Sequence, residues 1–139
     1  MNKVLYPSLK SLKLWIGNLE GENPVLKLSL PTIDEQWYER VIDILDMVQM
    51  SYYESNIHDK AAIIFYKIIK THNYIDGNKR SSIIVVYLFY LINGYYIPKS
   101  ASIRKLAKDI ANSKGRDDYD KWIDHISNHF SNHTRLLAT

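Results

Sequence analysis

The chain has 139 residues, 46% hydrophobic, 24% charged and 12% aromatic, the balance of an ordinary globular domain, and a chain of this length removes roughly 68% of its unfolded surface from water, enough for a core without staples. The absence of cysteine excludes disulfides, thiolate zinc sites and thiol nucleophiles, and makes a reducing, cytoplasmic compartment the default expectation. Lys+Arg 18 against Asp+Glu 15 gives a net charge of +3, too mild and too evenly spread to call for nucleic acid and equally suited to an anionic small molecule.

The first residues, Met1 to Lys10, carry no uninterrupted apolar stretch and no small-residue cleavage site, so no secretion signal is expected. No repeat or low-complexity linker interrupts the chain, and prolines at 7, 24, 31 and 98 mark element boundaries, so one domain over 1–139 is expected. From Leu26 the residues alternate, Leu26, Leu28 and Leu30 against Lys27 and Ser29, which predicts a strand over Val25–Leu30, the one convincing strand. Pro31 stops it. Thr32-Ile33-Asp34-Glu35 then has the form of a capping box, and Trp37, Val41, Ile44, Leu45 and Val48 form the apolar stripe of a helix up to about Met50.

A polar break, Ser51 to Asn56, precedes a helix from Ile57 to Thr71 with Ala61, Ile64, Phe65, Ile68 and Ile69 inward. After a short loop, Asn78 is placed to cap a helix from Lys79 or Arg80 to about Ile92, closed by Gly94. This helix is apolar nearly all round, so it is expected to be the buried centre of the domain. Its apolar run, Ile83 to Ile92, falls well short of the ~20 residues of a membrane span, and no membrane partner is expected. Ser100 or Ser102 starts a further helix with Ile103, Leu106, Ala107 and Ile110 inward, and Asp117 or Asp118 a last one with Tyr119, Trp122, Ile123, Ile126 and Phe130 inward. The fold class expected is mainly α, a helical bundle around a buried central helix, with a small β element.

The loop His72-Asn73-Tyr74-Ile75-Asp76-Gly77-Asn78-Lys79-Arg80 concentrates a base, a carboxylate and two cations at one helix start. The first-turn amides of a helix lack intrahelical partners and point outward with the positive end of the dipole, which suits an anion. Gly77 allows close approach of a phosphate, Lys79 and Arg80 add charge, and Arg80 is able to bind phosphate oxygens bidentately. Asp76 beside an anion makes sense with a magnesium ion between them, and His72 with a pKa near ~6.5 suits proton abstraction at neutral pH. The alternative is plain turn chemistry: Asp-Gly-Asn as an interhelical turn, a polar His72, and solvated Lys79 and Arg80.

The string resembles the signature of the Fic/Doc (Fido) family, His-x-Phe-x-(Asp/Glu)-Gly-Asn-(Gly or Lys)-Arg. It agrees at His72, Asp76, Gly77, Asn78 and Arg80, with Tyr74 in place of Phe and Asn73 where Pro is common. The resemblance covers about Ile57 to Tyr96 and implies a Fic/Doc-like helical bundle with the motif loop at 72–80. It also implies His72 as the catalytic base toward a target hydroxyl, Asp76 as the magnesium ligand, Gly77, Asn78 and Lys79 as an anion nest, and Arg80 on the nucleotide phosphates. ATP and Mg2+ are therefore the implied cofactors and a protein the implied substrate. In adenylylating members Gly stands at the position of Lys79 and a second Arg at that of Ile83. Both departures resemble the Doc-like (death-on-curing) toxin branch, which implies phosphoryl transfer from ATP to a target such as elongation factor Tu. That branch acts in the bacterial cytoplasm, encoded by the cell or a phage, under restraint by an antitoxin. Adenylyl transfer to Ser, Thr or Tyr is the alternative, and a catalytically silent Fic-like binding module the second.

The family's built-in inhibitory signature, (Ser/Thr)-x-x-x-Glu-(Gly/Asn), is missing: Glu20-Gly21 is nearest, but Ile16 stands four before Glu20. The strand Val25–Leu30 is either a target-holding flap or an unrelated edge. His125, His129 and His133 recur every four residues, a spacing seen in metal sites and more often in a polar helix flank. Lys99, Arg104, Lys105 and Lys108 make one basic helix side, ordinarily a solvated face.

Overall fold

The computed structural model describes residues 3–17, 21–23, 28–30, 35–70, 77–98, 102–113 and 118–137, with the backbone alone at 17, 21–23, 28–30 and 77–80. Pro7 and Ser8 introduce helix α1 (Leu9–Gly17), which the sequence reading does not anticipate. Its start is a capping box with serine in the role of Glu: Ser11 N–H donates to Ser8 Oγ at 3.1 Å and Ser8 N–H to Ser11 Oγ at 3.0 Å. Leu12 and Ile16, one turn apart, are buried.

Next come strands β1 (Gly21–Asn23) and β2 (Leu28–Leu30), antiparallel with Gly21 opposite Leu30 and Asn23 opposite Leu28. The expected strand over Val25–Leu30 is thus found at Leu28–Leu30; residues 25–27 lie outside the described residues, and the partner strand was not foreseen.

Helix α2 (Glu35–Ser51) buries Trp37, Tyr38, Val41, Leu45 and Val48, the expected stripe with Tyr38 added and Ile44 only partly covered. The Thr32 cap lies outside the described residues. Helix α3 (Ile57–Lys70) is capped by Asn56, whose Oδ1 accepts from Asp59 N–H at 2.9 Å. Beyond its expected stripe it also buries Ala62, Ile63, Tyr66 and the stem of Lys60, because α2, α4, α5 and α6 all pack against it. Helix α4 (Gly77–Ile92) is as apolar as expected, with Ser81 to Val86 and Leu88 to Tyr90 buried. It touches α1, α3, α5, β2 and the short strand β3 (Tyr95–Tyr96). The centre of the bundle is therefore the α3–α4 pair rather than α4 alone; Ala61 and Ala62 on α3 let its neighbours approach closely.

Gly94 ends α4 in the left-handed region (φ 87°), as expected of a helix-closing glycine. Helix α5 (Ile103–Asn112) buries Leu106, Ala107 and Ile110 and leaves Arg104, Lys105 and Lys108 exposed. Helix α6 (Tyr119–His133) buries Ile123, Ile126, Ser127 and Phe130. Ser102 and Asp118 precede these helices as predicted, but neither makes a side-chain capping bond, and Ser102 itself is left-handed (φ 55°). Strand β4 (Arg135–Leu136) pairs antiparallel with β3, Tyr95 opposite Leu136.

One turn gathers both ends of the described chain. Asn93 Nδ2 donates to Leu5 O at 2.9 Å and Phe89 O at 2.8 Å, its Oδ1 accepts from Leu5 N–H at 2.8 Å, and Leu137 N–H donates to Gly94 O at 2.9 Å. Asn93→Ala removes the side chain that ties residues 3–8 to α4, and is expected to cost about 1–2 kcal/mol. Urea denaturation is the check, together with limited proteolysis of the amino-terminal segment; an unchanged midpoint and digestion rate would show that the clasp carries no stability.

Candidate functional site

The helix that carries the motif enters the core as soon as the motif ends. Ser81 and Ser82, next after Arg80, are both 0% exposed, and the buried apolar positions follow without a break to Val86. Gly77, Asn78, Lys79 and Arg80 therefore form the first turn of a helix held firmly along the rest of its length. That turn starts at Gly77, so Asn78 is the second helical residue and not the cap, and the helix opens two residues before the expected Lys79. The difference is of the size by which helix ends commonly shift. The side chains of Asn78, Lys79 and Arg80 are not among those described, and His72 and Asp76 lie outside the described residues.

What surrounds this turn is a helix hairpin. α3 ends at Lys70 and α4 opens at Gly77, with six residues between them, and the two helices pack against each other. Lys67 and Lys70 lie in the last turn of α3, where cations favour the negative end of the helix dipole. Lys70 Nζ donates to Ser113 O at 2.8 Å, which fastens the C-terminal end of α5 beside the end of α3, and partial burial draws its ammonium pKa down. Lys67 Nζ sits over the Tyr119 ring at 5.4 Å, bringing the start of α6 to the same neighbourhood. The Oγ of Ser81 is buried with no hydrogen-bond partner among the described residues.

Backbone amides at the head of α4 can do one thing chemically: receive an anion, with the dipole of a 16-residue helix behind them. Such a turn is a binding element, and its amides supply no base of their own.

Among the described residues no group of three metal-binding side chains converges. His129 and His133 stack at 4.3 Å with 27° between their planes, and His133 Nδ1 lies 2.7 Å from His129 O, while His125 packs edge-on to Trp122. The tyrosines divide as a core and its rim would: Tyr38, Tyr66 and Tyr90 are buried, Tyr52, Tyr87 and Tyr95 partly covered, and Tyr53 exposed.

Sequence reasoning passed over one polar cluster at the far end of the α3–α4 hairpin. His58 Nδ1 lies 2.9 Å from the hydroxyl of Tyr90, and its neighbour Asp59 accepts a 2.6 Å hydrogen bond from Ser127 of α6. The only signal is a histidine and an aspartate side by side in the first turn of a largely apolar helix.

Compared with known proteins, residues 32–90 match the model of the Fic/DOC family. This stretch includes α2, α3, the motif loop and α4 up to Tyr90, and supports placement in the Fic/Fido family; it does not distinguish the Doc branch. The mostly helical architecture is consistent with the helical fold of that family. No curated protein and no solved structure matches the chain. Among the described residues no helix is long and apolar enough to cross a membrane.

Proposed function

We propose that this chain is a protein-modifying enzyme of the Fic type that transfers the γ-phosphoryl group of ATP to a hydroxyl side chain of a target protein. Members of the family generally act as transferases on proteins and use ATP with Mg2+. The observation that carries the proposal is the position of Gly77–Arg80 as the first turn of a helix whose buried positions begin at Ser81, directly after the segment of sequence that bears His72 and Asp76. An anion-binding turn on a rigid helix, preceded by a base and a carboxylate, is what phosphoryl transfer asks of a protein, since positioning and charge supply most of its catalysis.

In this scheme the amides of Gly77, Asn78 and Lys79 and the guanidinium of Arg80 hold the phosphates. The imidazole of His72 takes the proton of the target hydroxyl as its oxygen attacks the γ-phosphorus, and ADP leaves. Asp76 offers a hard carboxylate oxygen, the donor class magnesium prefers, and magnesium bound there would neutralise phosphate charge. The β1–β2 hairpin packs against α4 through β2 and is our choice for a flap that holds target backbone by strand addition. Elongation factor Tu is the target to try first, and a separate antitoxin the restraint, because the chain lacks the family's inhibitory signature; the bacterial cytoplasm, with the gene carried by the cell or a phage, is the setting.

Transfer from ATP labelled on the α- or the γ-phosphate tests this, using purified protein, magnesium and a bacterial lysate containing elongation factor Tu. Label from the γ-position on a protein band, lost in His72→Ala, is the expected result. Label from the α-position would make the chain an adenylyltransferase, and tight Mg-ATP binding without transfer from either position would leave a silent binding module. Lys79→Gly probes the choice of phosphate directly. Its removal clears bulk and charge from the nest and is expected to lower γ-transfer by about tenfold or more, equivalent to about 1.4 kcal/mol of barrier; unchanged γ-transfer would show that Lys79 does not orient the nucleotide.

A further inference from the structure

The His58–Tyr90 pair joins the first turn of α3 to the last turns of α4, at the end of the hairpin away from the motif loop. Tyr90 is 0% exposed and packs against Phe89, Tyr95 and Phe130, so its hydroxyl is cut off from water and needs an acceptor inside the protein. Burial, with Tyr95 and Asp59 nearby, holds the Tyr90 phenol well above its ordinary pKa, so it keeps its proton and donates it. Nδ1 of His58 lies within hydrogen-bond distance of that hydroxyl. The imidazole is half-buried against the Tyr90 ring at 5.8 Å and edge-on to Tyr95 of β3 at 6.0 Å.

We propose that this hydrogen bond is an acid-sensitive latch fastening the C-terminal half of α4 to α3. It rests on these contacts alone and is independent of the transfer reaction. With neutral His58, the Tyr90 O–H donates to the Nδ1 lone pair and the ring proton sits on Nε2. A proton taken from solvent occupies that lone pair. Both ring nitrogens are then donors, and the Tyr90 hydroxyl loses its acceptor within the core.

Two effects act on the charge of the imidazole. Desolvation disfavours the imidazolium and is the larger effect, lowering the pKa; the Asp59 carboxylate, engaged by Ser127 of α6, favours it. The other groups against the imidazole are Tyr90 of α4, whose phenol burial keeps protonated, and the ring of Tyr95 of β3. Because the folded pKa lies below the ordinary 6.5, the latch is intact above that value and is lost as the pH falls through the folded pKa.

The test combines proton NMR titration of His58 with thermal denaturation at pH 7.5 and pH 5.0 for the wild type, His58→Gln and Tyr90→Phe. The wild-type His58 is expected to titrate below 6.5, and Tyr90→Phe, which removes the bond to the neutral ring, to raise that value. The wild type is expected to lose about 4 °C more than His58→Gln between the two pH values, with amide exchange across Tyr87–Ile92 speeding up about tenfold. A His58 pKa at or above 6.5, a pKa unmoved in Tyr90→Phe, or equal acid losses in the wild type and His58→Gln would each overturn the proposal. Should His58→Gln fail to fold, the wild-type titration and the Tyr90→Phe shift decide the matter alone.

Discussion

Protein labelling from ATP is expected to fall by about 10²–10⁴-fold in His72→Ala, the range that removal of a positioned general base ordinarily produces. A hydroxyl attacking phosphorus must shed its proton near neutral pH, and among the loop side chains only the imidazole has an ordinary pKa suited to accept it. His72 lies outside the buried positions of α3, which run to Ile69, and of α4, which begin at Ser81, so the prediction concerns transfer, and the thermal midpoint of the same variant is the control for folding. Labelling and melting measured on the same preparation separate chemistry from folding. Transfer retained within tenfold in a folded His72→Ala would sink the assignment of this histidine as base.

The largest effect on stability is expected from Phe65→Ala, about 3–5 kcal/mol. Phe65 is 0% exposed in the middle of α3, and its ring meets Phe130 of α6 edge-on at 5.5 Å. Phe130 in turn contacts Tyr90 of α4 at 5.6 Å, so truncation opens a void beside an aromatic chain that joins three helices. With total stabilities of about 5–15 kcal/mol, a loss of this size leaves the variant marginal or unfolded at 37 °C. Chemical denaturation provides the measurement, and Phe65→Leu, which keeps most of the volume, is expected to lose about half as much. A loss under 1 kcal/mol in the alanine variant would contradict the packing described.

Local pattern made the helical hairpin legible. Apolar residues at three- and four-residue steps, Asn56 before α3 and Gly94 after α4 mark its limits to within two residues. Helix α1 escaped because its capping box closes with Ser11 where Glu or Gln is the usual sign, and because its apolar stripe is only a few residues long. Strands β3 and β4 are two residues each and pair Tyr95 with Leu136 across the chain; no periodicity forms over so short a run. In the candidate site, the residue types and the helix bearing Gly77–Arg80 could be read from sequence, whereas the contact between His58 and Tyr90 depends on how two helices lie together. The sharing of the core between α3 and α4 has the same origin. Apolar content alone singles out α4, but the contacts to α2, α5 and α6 that enclose α3 are tertiary.

The clasp at Asn93 and Gly94 has a topological consequence. Leu5 and Leu137 bind adjacent residues of one turn, so the described backbone is nearly a closed ring. Joining residues 5 and 137 through a short Gly/Ser spacer, with new ends opened in the exposed turn at Tyr53–Glu54, is expected to retain the helices and both strand pairs of the described residues in register.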